Sequence, residues 1–169
     1  MQIAALGTAA PPHYYDQEAL LTAFQAAWAQ QHHNPRRVEQ LHRAVQVGGR
    51  HLALPMEDYL GLDFGKANDA FIRVGTDIGA EAVLEALGGA GLVPTDVDAI
   101  FTTTVTGVAT PSLDARLVNR LGFRTDIRRV PMFGLGCVAG AAGIARVADY
   151  LRGNPDHVAV LLSVELCSL

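Results

Sequence analysis

The stretch IRRVPMFGLGCVAGAAGIARVADYL, residues 127–151, decides the fold. Its first part, Ile127–Phe133, is strand-like. The glycines of Gly134–Cys137 predict a tight turn, because glycine accepts backbone conformations that other residues avoid. Residues 139–151 carry apolar side chains at helical spacing and predict an amphipathic helix. The stretch is therefore a strand–turn–helix unit with a cysteine at the turn.

The sequence on either side repeats this alternation. Upstream, Asp69–Leu87 predicts a long helix, Ala99–Val105 a β-branched strand, and Pro111 the beginning of another helix. Downstream, His157–Glu165 predicts a further apolar strand. Near-continuous apolar strands separated by helices are typical of a parallel sheet that helices cover on both faces. The sequence thus predicts an α/β fold with a mostly parallel sheet.

The first part of the chain has shorter elements. Gln2–Leu6 predicts a buried strand, and Asp16 is a helix N-cap candidate before an apolar-periodic segment that reaches Trp28. Pro35 predicts the beginning of a second helix, and the alternation in Arg50–Leu54 is compatible with a strand.

Composition narrows the function classes. The chain has 169 residues, a net charge of −4 and an isoelectric point near 5.8, which argues against a nucleic-acid partner. There is no apolar run of the roughly 18–20 residues that a membrane helix needs, and the first residues lack the basic start of a signal peptide. We therefore expect a cytoplasmic protein without membrane association. The cysteines and histidines show no metal-ligand spacing, and His32-His33 is interpreted as a solvated helix end.

Cys137 is the candidate for chemistry. A helix that begins just after the cysteine directs its free N–H groups and positive dipole end at the sulfur, which favours a thiolate. The backbone N–H of Cys137 is also suited to stabilise an oxyanion. The alternative is a structural cysteine packed at a helix start, and strand–GxGC–helix alone does not decide between the two.

Several segments together resemble the chalcone-synthase-like, type III polyketide synthases of bacteria. They are Val97–Pro111 before the cysteine, Leu117–Gly122 (LVNRLG), Arg128–Met132, the nucleophile motif Gly136–Gly140 (GCVAG) and Ser163–Ser168. The segments keep the family's mutual spacing without gaps. The resemblance covers essentially the whole chain, but only the N-terminal half of the family's thiolase-like fold, so we expect residues 1–169 to be that half.

The resemblance implies an activity. An acyl-CoA starter is loaded on Cys137 as a thioester, and the carbanion from decarboxylation of malonyl-CoA attacks it. The family needs no metal or organic cofactor and forms homodimers. Its catalytic histidine and asparagine belong to the C-terminal half, so we expect them beyond Leu169 and expect this chain alone to be incomplete.

The resemblance also assigns three pocket residues: Thr106 and Cys167, which would line the cavity beside Cys137, and Thr110. For Thr106 the alternative is a loop-capping threonine, for Thr110 a helix start, and for Cys167 a core cysteine at a strand end. Thr110 stands where plant relatives carry a methionine that reaches into the partner's cavity.

The CoA phosphates are assigned, on the same basis, to Arg36, Arg37 and Arg43. The alternative is a solvated helix face. Neighbouring positions depart from the plant pattern, and this favours the alternative. Glu165 matches a glutamate of the family, for which a buried, hydrogen-bonded structural role is expected.

Two other functions stay open. A ketoacyl-synthase-III-like enzyme shares the fold and the cysteine, although its motif usually has Ala-Cys where this chain has Gly136-Cys137. An inert half-domain that acts in dimerisation is the alternative from another class. The starter, the number of extensions and the cyclisation also stay open, with alkylpyrones, alkylresorcinols and hydroxylated naphthalenes as products.

Overall fold

The computed structural model describes residues 2–28 and 34–169, so His32 and His33 lie outside the described residues. The chain divides into two compact units. The larger contains residues 2–10, 64–167 and 169. The smaller contains the described residues from Pro11 to Asp63, together with Ser168.

The smaller unit contains two strands and two helices: β1 (His13–Asp16), α1 (Gln17–Trp28), α2 (Pro35–Ala44) and β2 (Gly49–Leu52). β1 and β2 pair antiparallel. Asp16 caps α1, since its Oδ1 accepts a hydrogen bond from the Ala19 N–H at 2.7 Å. Asn34 caps α2 by accepting from the Arg37 N–H at 3.1 Å. The predicted starts of both helices are confirmed, whereas β1 was not predicted because His13–Asp16 has no apolar run.

The larger unit contains the predicted alternation of helices and strands: α3 (Phe64–Ala90), β3 (Ala99–Thr104), α4 (Leu113–Leu121), β4 (Arg128–Phe133), α5 (Ala139–Gly153) and β5 (Ala159–Ser163). The three strands form one parallel sheet in the order β4-β3-β5. The predicted α/β fold with a parallel sheet is confirmed. In the part of the chain that the structure describes, no helix is long and apolar enough to cross a membrane.

Helices cover both faces of this sheet, as predicted. On one face, Phe101 of β3 packs with Val147 and Tyr150 of α5. On the other face, the hydroxyl of Thr102 donates to the fully buried carboxylate of Asp114 in α4 at 3.3 Å. Because alternate residues of a strand point to opposite faces, β3 is buried on both sides.

The glycines Gly75 and Gly79 bring α3 close to the same face as α4. A Cβ on Gly79 would lie 3.2 Å from the side chain of Leu162, and one on Gly75 would lie 3.3 Å from Val164. Larger residues would push α3 away from the sheet, so the spacing of four between the glycines sets how closely this helix packs.

The strand predicted at Gln2–Leu6 is wrong. The segment has no strand assignment, and Ile3 and Leu6 are 67% and 80% exposed. It runs along α3, where the Thr8 N–H donates to the Glu85 carboxylate at 2.6 Å. An apolar run is compatible with a strand, but a strand also needs a neighbouring strand, and this segment lies against a helix.

The beginning of α4 also differs from the prediction. Pro111 precedes the helix, which begins at Leu113 with Ser112 as the N-cap. The predicted end is correct, because Gly122 has a left-handed φ of 70° and closes the helix.

A polar contact at the amino-terminal edge of the sheet makes stability dependent on pH. The Asp98 carboxylate accepts from the Val158 N–H at 2.8 Å and from Arg124 at 3.0 Å. The hydrogen bond from Val158, followed by that from Arg124, holds the pKa of Asp98 below its ordinary value. Its contribution to stability is therefore present above the unfolded-state pKa of about 3.9 and is lost as the pH falls through the folded-state value.

We expect Asp98→Asn to flatten the acid limb of the stability profile. The free energy of unfolding, measured with urea between about pH 6 and about pH 3, should fall less steeply in this variant than in the parent, because one stabilised carboxylate is gone. Asp156→Asn, the same substitution at an exposed position, is the matched control for the change of an aspartate to an asparagine. Equal slopes for Asp98→Asn and the parent would contradict this assignment.

Candidate active site

The carboxyl ends of the three parallel strands form the candidate site. β3 and β4 end in register, with Thr104 opposite Phe133, and the Gly134 N–H donates to the Thr104 carbonyl at 3.3 Å. Thr106, Cys137 and Cys167 each follow one of the three strands within a few residues. The three residues therefore lie at the same edge of the sheet. Ligands of open α/β sheets bind outside the carboxyl ends of the strands, so a substrate is expected at this edge.

Cys137 stands on a turn that depends on two glycines. Gly134 and Gly136 have left-handed φ values of 83° and 60°. Most L-residues avoid this region, so the two glycines let the chain reverse between β4 and α5. Cys137 lies in the 3₁₀ turn Gly136–Val138 and is exposed. The predicted tight turn is confirmed, and Cys137 is exposed in the described chain, so the structure gives no contact that favours a structural role for it. Its role as the nucleophile stays a prediction.

The beginning of α5 supplies the electrostatic part of the site. α5 begins at Ala139, and Val138 is its N-cap residue. Valine has no side-chain acceptor, so no capping side chain competes for the first N–H groups of this helix. The positive end of a fifteen-residue helix thus begins two residues after Cys137. This arrangement favours negative charge at the sulfur and on an oxyanion formed there.

Thr106 is held by Glu165 on the neighbouring strand end. One oxygen of Glu165 accepts from the Val105 N–H at 3.1 Å, the Thr106 N–H at 3.2 Å and the Thr106 hydroxyl at 2.8 Å. The Thr106 hydroxyl in turn accepts from the Leu166 N–H at 2.9 Å. Thr106 therefore has the loop-capping contacts of the alternative interpretation, and its role in a pocket stays a prediction.

Glu165 is hydrogen-bonded as expected, but the expectation that it is buried is wrong. β5 ends at Ser163, and Glu165 is exposed between the buried residues Val164 and Leu166. Its carboxylate is at the rim of the sheet, where backbone N–H groups and water both reach it.

Thr110 and Cys167 are exposed in the structure. Thr110 lies in the segment before α4, and Cys167 is a free cysteine after β5. The interpretation of Cys167 as a core cysteine finds no support in this exposure. That Thr110 and Cys167 line a pocket stays a prediction.

The arginines assigned to CoA belong to the smaller unit. Arg36 and Arg37 are exposed in the first turn of α2. Arg43 pairs with Glu18 and, at 3.2 Å, with Glu39. Arg43 thus has carboxylate partners of its own, and CoA binding by the three arginines stays a prediction.

Two contacts from α3 to the segment after β3 were missed from the sequence. Asn68 forms two hydrogen bonds with the backbone of Val108, and Gly107 lies directly against Phe71. The glycine in the run Thr106-Gly107-Val108 was the available signal, since a glycine between β-branched residues often marks a close approach. Within the described residues, no group of three or more His, Cys, Asp and Glu side chains is placed to hold a metal ion.

The fold and the turn define a class of protein. A parallel α/β sheet whose strand ends in a glycine-flanked, exposed cysteine at a helix start is the arrangement of a thiolase-like condensing enzyme. Residues 72–169 match the family model described as FAE1/Type III polyketide synthase-like protein. The chain belongs to this family, and the predicted thiolase-like fold is confirmed.

Individual proteins that are similar to this chain support the same family. The chain is 52% identical over 168 residues to a 1,3,6,8-tetrahydroxynaphthalene synthase from Streptomyces peucetius subsp. caesius, covering 99% of this chain and 45% of that protein. It is 33% identical over 126 residues to a phloroglucinol synthase from Pseudomonas fluorescens, and this match covers 74% of this chain and 36% of that protein. The crystal structure of 1,3,6,8-tetrahydroxynaphthalene synthase from Streptomyces coelicolor A3(2) superposes with a TM-score of 0.89 at 30% identity. The superposition covers 97% of this chain and 48% of that chain. The chain spans about half the length of these relatives or less.

Proposed function

We propose that this chain is the nucleophile-bearing part of a type III polyketide synthase. The enzyme transfers an acyl group from a CoA thioester to Cys137 and extends it with malonyl-CoA by decarboxylative Claisen condensation. The observation that carries the proposal is the exposed Cys137 on a glycine turn at the start of α5, at the carboxyl edge of a parallel sheet.

The proposed reaction has two steps at Cys137, acyl transfer and condensation. The Cys137 thiolate attacks the thioester carbonyl, the negative charge moves to its oxygen, and CoA leaves as a thiol after taking up a proton. Malonyl-CoA then loses CO₂, and the resulting carbanion attacks the acyl-cysteine carbonyl. A carbon–carbon bond forms, the carbon–sulfur bond breaks, and Cys137 returns as a thiolate. The residues that stabilise the carbanion are proposed to be a histidine and an asparagine of a C-terminal half beyond Leu169.

The product we favour is a hydroxylated naphthalene built from malonyl-CoA alone. The 52% identity to a 1,3,6,8-tetrahydroxynaphthalene synthase supports this choice over the fatty-acyl starters of alkylpyrone and alkylresorcinol formation. The Gly136-Cys137 pair and the family match also favour this class over a ketoacyl-synthase-III-like enzyme.

The partners and the location are part of the same proposal. Acyl-CoA and malonyl-CoA are the substrates, with Arg36 and Arg37 as candidate CoA contacts, and the protein acts as a cytoplasmic homodimer. β4 is an outer strand of the described sheet, and an edge strand presents backbone groups that a second copy is able to pair. Sedimentation of the complete protein at twice the monomer mass is the expected result for the dimer.

The proposed reaction is tested by product analysis. The complete protein that carries this chain is incubated with malonyl-CoA alone, and separately with malonyl-CoA and a long-chain acyl-CoA. We expect a hydroxylated naphthalene from malonyl-CoA alone, identified by liquid chromatography and mass spectrometry. Products that contain the long acyl chain would instead assign a fatty-acyl starter. A requirement for an acyl-carrier protein would favour the ketoacyl-synthase-III-like alternative.

A further inference from the structure

The loop between β3 and α4, residues 105–112, is held in place although it has no helix or strand structure. It carries two of the predicted pocket residues, Thr106 and Thr110. Its first residues are fixed by Glu165, as described above. The middle of the loop is fixed separately by α3, through Asn68 and Phe71.

Asn68, in the first turns of α3, bonds to the loop with both ends of its amide. Its Nδ2 donates to the Val108 carbonyl at 2.8 Å, and its Oδ1 accepts from the Val108 N–H at 2.8 Å. A neighbouring strand residue would make the same pair of bonds. Aspartate has the same length but no amide donor, so asparagine alone among side chains of this size satisfies both groups.

The preceding residue places the loop against the same helix. A Cβ on Gly107 would lie within 2.6 Å of Cε1 of Phe71, and Phe71 is fully buried. Gly107 thus sets the distance from the loop to α3, and Asn68 sets the position of the loop along α3. Val108 itself is 53% exposed, so water is able to replace the Asn68 amide if that side chain is removed.

We propose that Asn68 is a positioning residue: it fixes the loop that carries the predicted pocket residues Thr106 and Thr110, which would form one wall of that pocket, and thereby determines how far the chain is extended before release. This inference rests on the proposed function and on the predicted pocket role of Thr106. Without Asn68, the loop stays attached through Gly107 and Glu165 but shifts in its middle. The wall then no longer holds the growing chain in one register, whereas acyl transfer to Cys137 depends on the turn at α5 and is unaffected.

The test uses Asn68→Ala and Asn68→Asp in the complete protein with malonyl-CoA as substrate. The measured quantities are the rate of Cys137 acylation, from intact mass, and the ratio of fully extended to prematurely released products. We expect acylation within about twofold of the parent, and a ratio that falls about tenfold in the alanine variant, because a displaced wall misplaces the reacting chain. Asp69→Ala, at the neighbouring exposed position of α3, is the control that should keep the parent ratio.

The outcomes separate this inference from the proposed function. An unchanged product ratio in folded Asn68→Ala overturns the inference, and so does a fall in acylation as large as the fall in the ratio. If Asn68→Ala does not fold, Asn68→Asp decides, because it keeps the bond from the Val108 N–H and is expected to lower the ratio as well. A parent protein that takes up no acyl group contradicts the proposed function itself.

Discussion

Cys137→Ala is expected to lower product formation from malonyl-CoA by at least about a thousandfold, because the variant has no group that can carry the acyl chain. The substitution removes only the sulfur from an exposed position. The glycine turn and the beginning of α5 do not depend on the side chain. The fold and the melting temperature should therefore stay close to those of the parent, which circular dichroism checks.

The matched control for this prediction is the other exposed thiol. Cys167→Ala should still acquire the acyl group, because Cys167 follows a different strand and is not at a helix start. Product formation in Cys137→Ala at more than about a tenth of the parent rate would show that the sulfur is not the acyl carrier, since loss of a covalent nucleophile is not compensated by the remaining site.

Gly107→Ala is expected to destabilise the protein by about 3 kcal/mol, near the upper end of the cost of overpacking a core position. The added Cβ would collide with the Phe71 ring. That ring is fully buried. Either the loop lifts from α3 or Phe71 leaves its place, and both reduce apolar burial. The urea midpoint, measured by circular dichroism, gives the change.

Gly88→Ala is the matched control. Gly88 lies inside α3, and a Cβ there meets no atom within 4 Å. Alanine in a helix is favoured over glycine, so this variant should be more stable by about 0.5–1 kcal/mol. A loss for Gly107→Ala that is no larger than about 0.5 kcal/mol, the ordinary range for surface substitutions, would contradict the packing described here.

The central elements follow from local sequence patterns. The strand–turn–helix unit at 127–151 is predicted correctly because strand-like residues, glycines and helical spacing act within a few residues. The segment Gln2–Leu6 shows where this reasoning ends. Whether an extended apolar run joins a sheet depends on a partner strand, which is not encoded within the run itself.

The candidate site divides in the same way. The position of Cys137 was evident because the turn and the following helix are adjacent in sequence. The contacts that hold the loop at residues 105–112 were not evident from the sequence, because Asn68 is 40 residues from Val108 and Glu165 is 59 residues from Thr106. Neither residue belongs to a periodic pattern, and only the folded sheet and α3 bring them to the loop.

The intact mass of the complete protein, before and after incubation with acyl-CoA substrates, tests the central claim most directly. We expect the parent and Cys167→Ala each to gain the mass of one acyl group, and Cys137→Ala to gain none. Hydroxylamine, which cleaves thioesters, should remove the added mass. A folded parent that gains no mass from malonyl-CoA or from any acyl-CoA, or an equal gain in Cys137→Ala, would contradict the assignment of Cys137 as the acyl carrier.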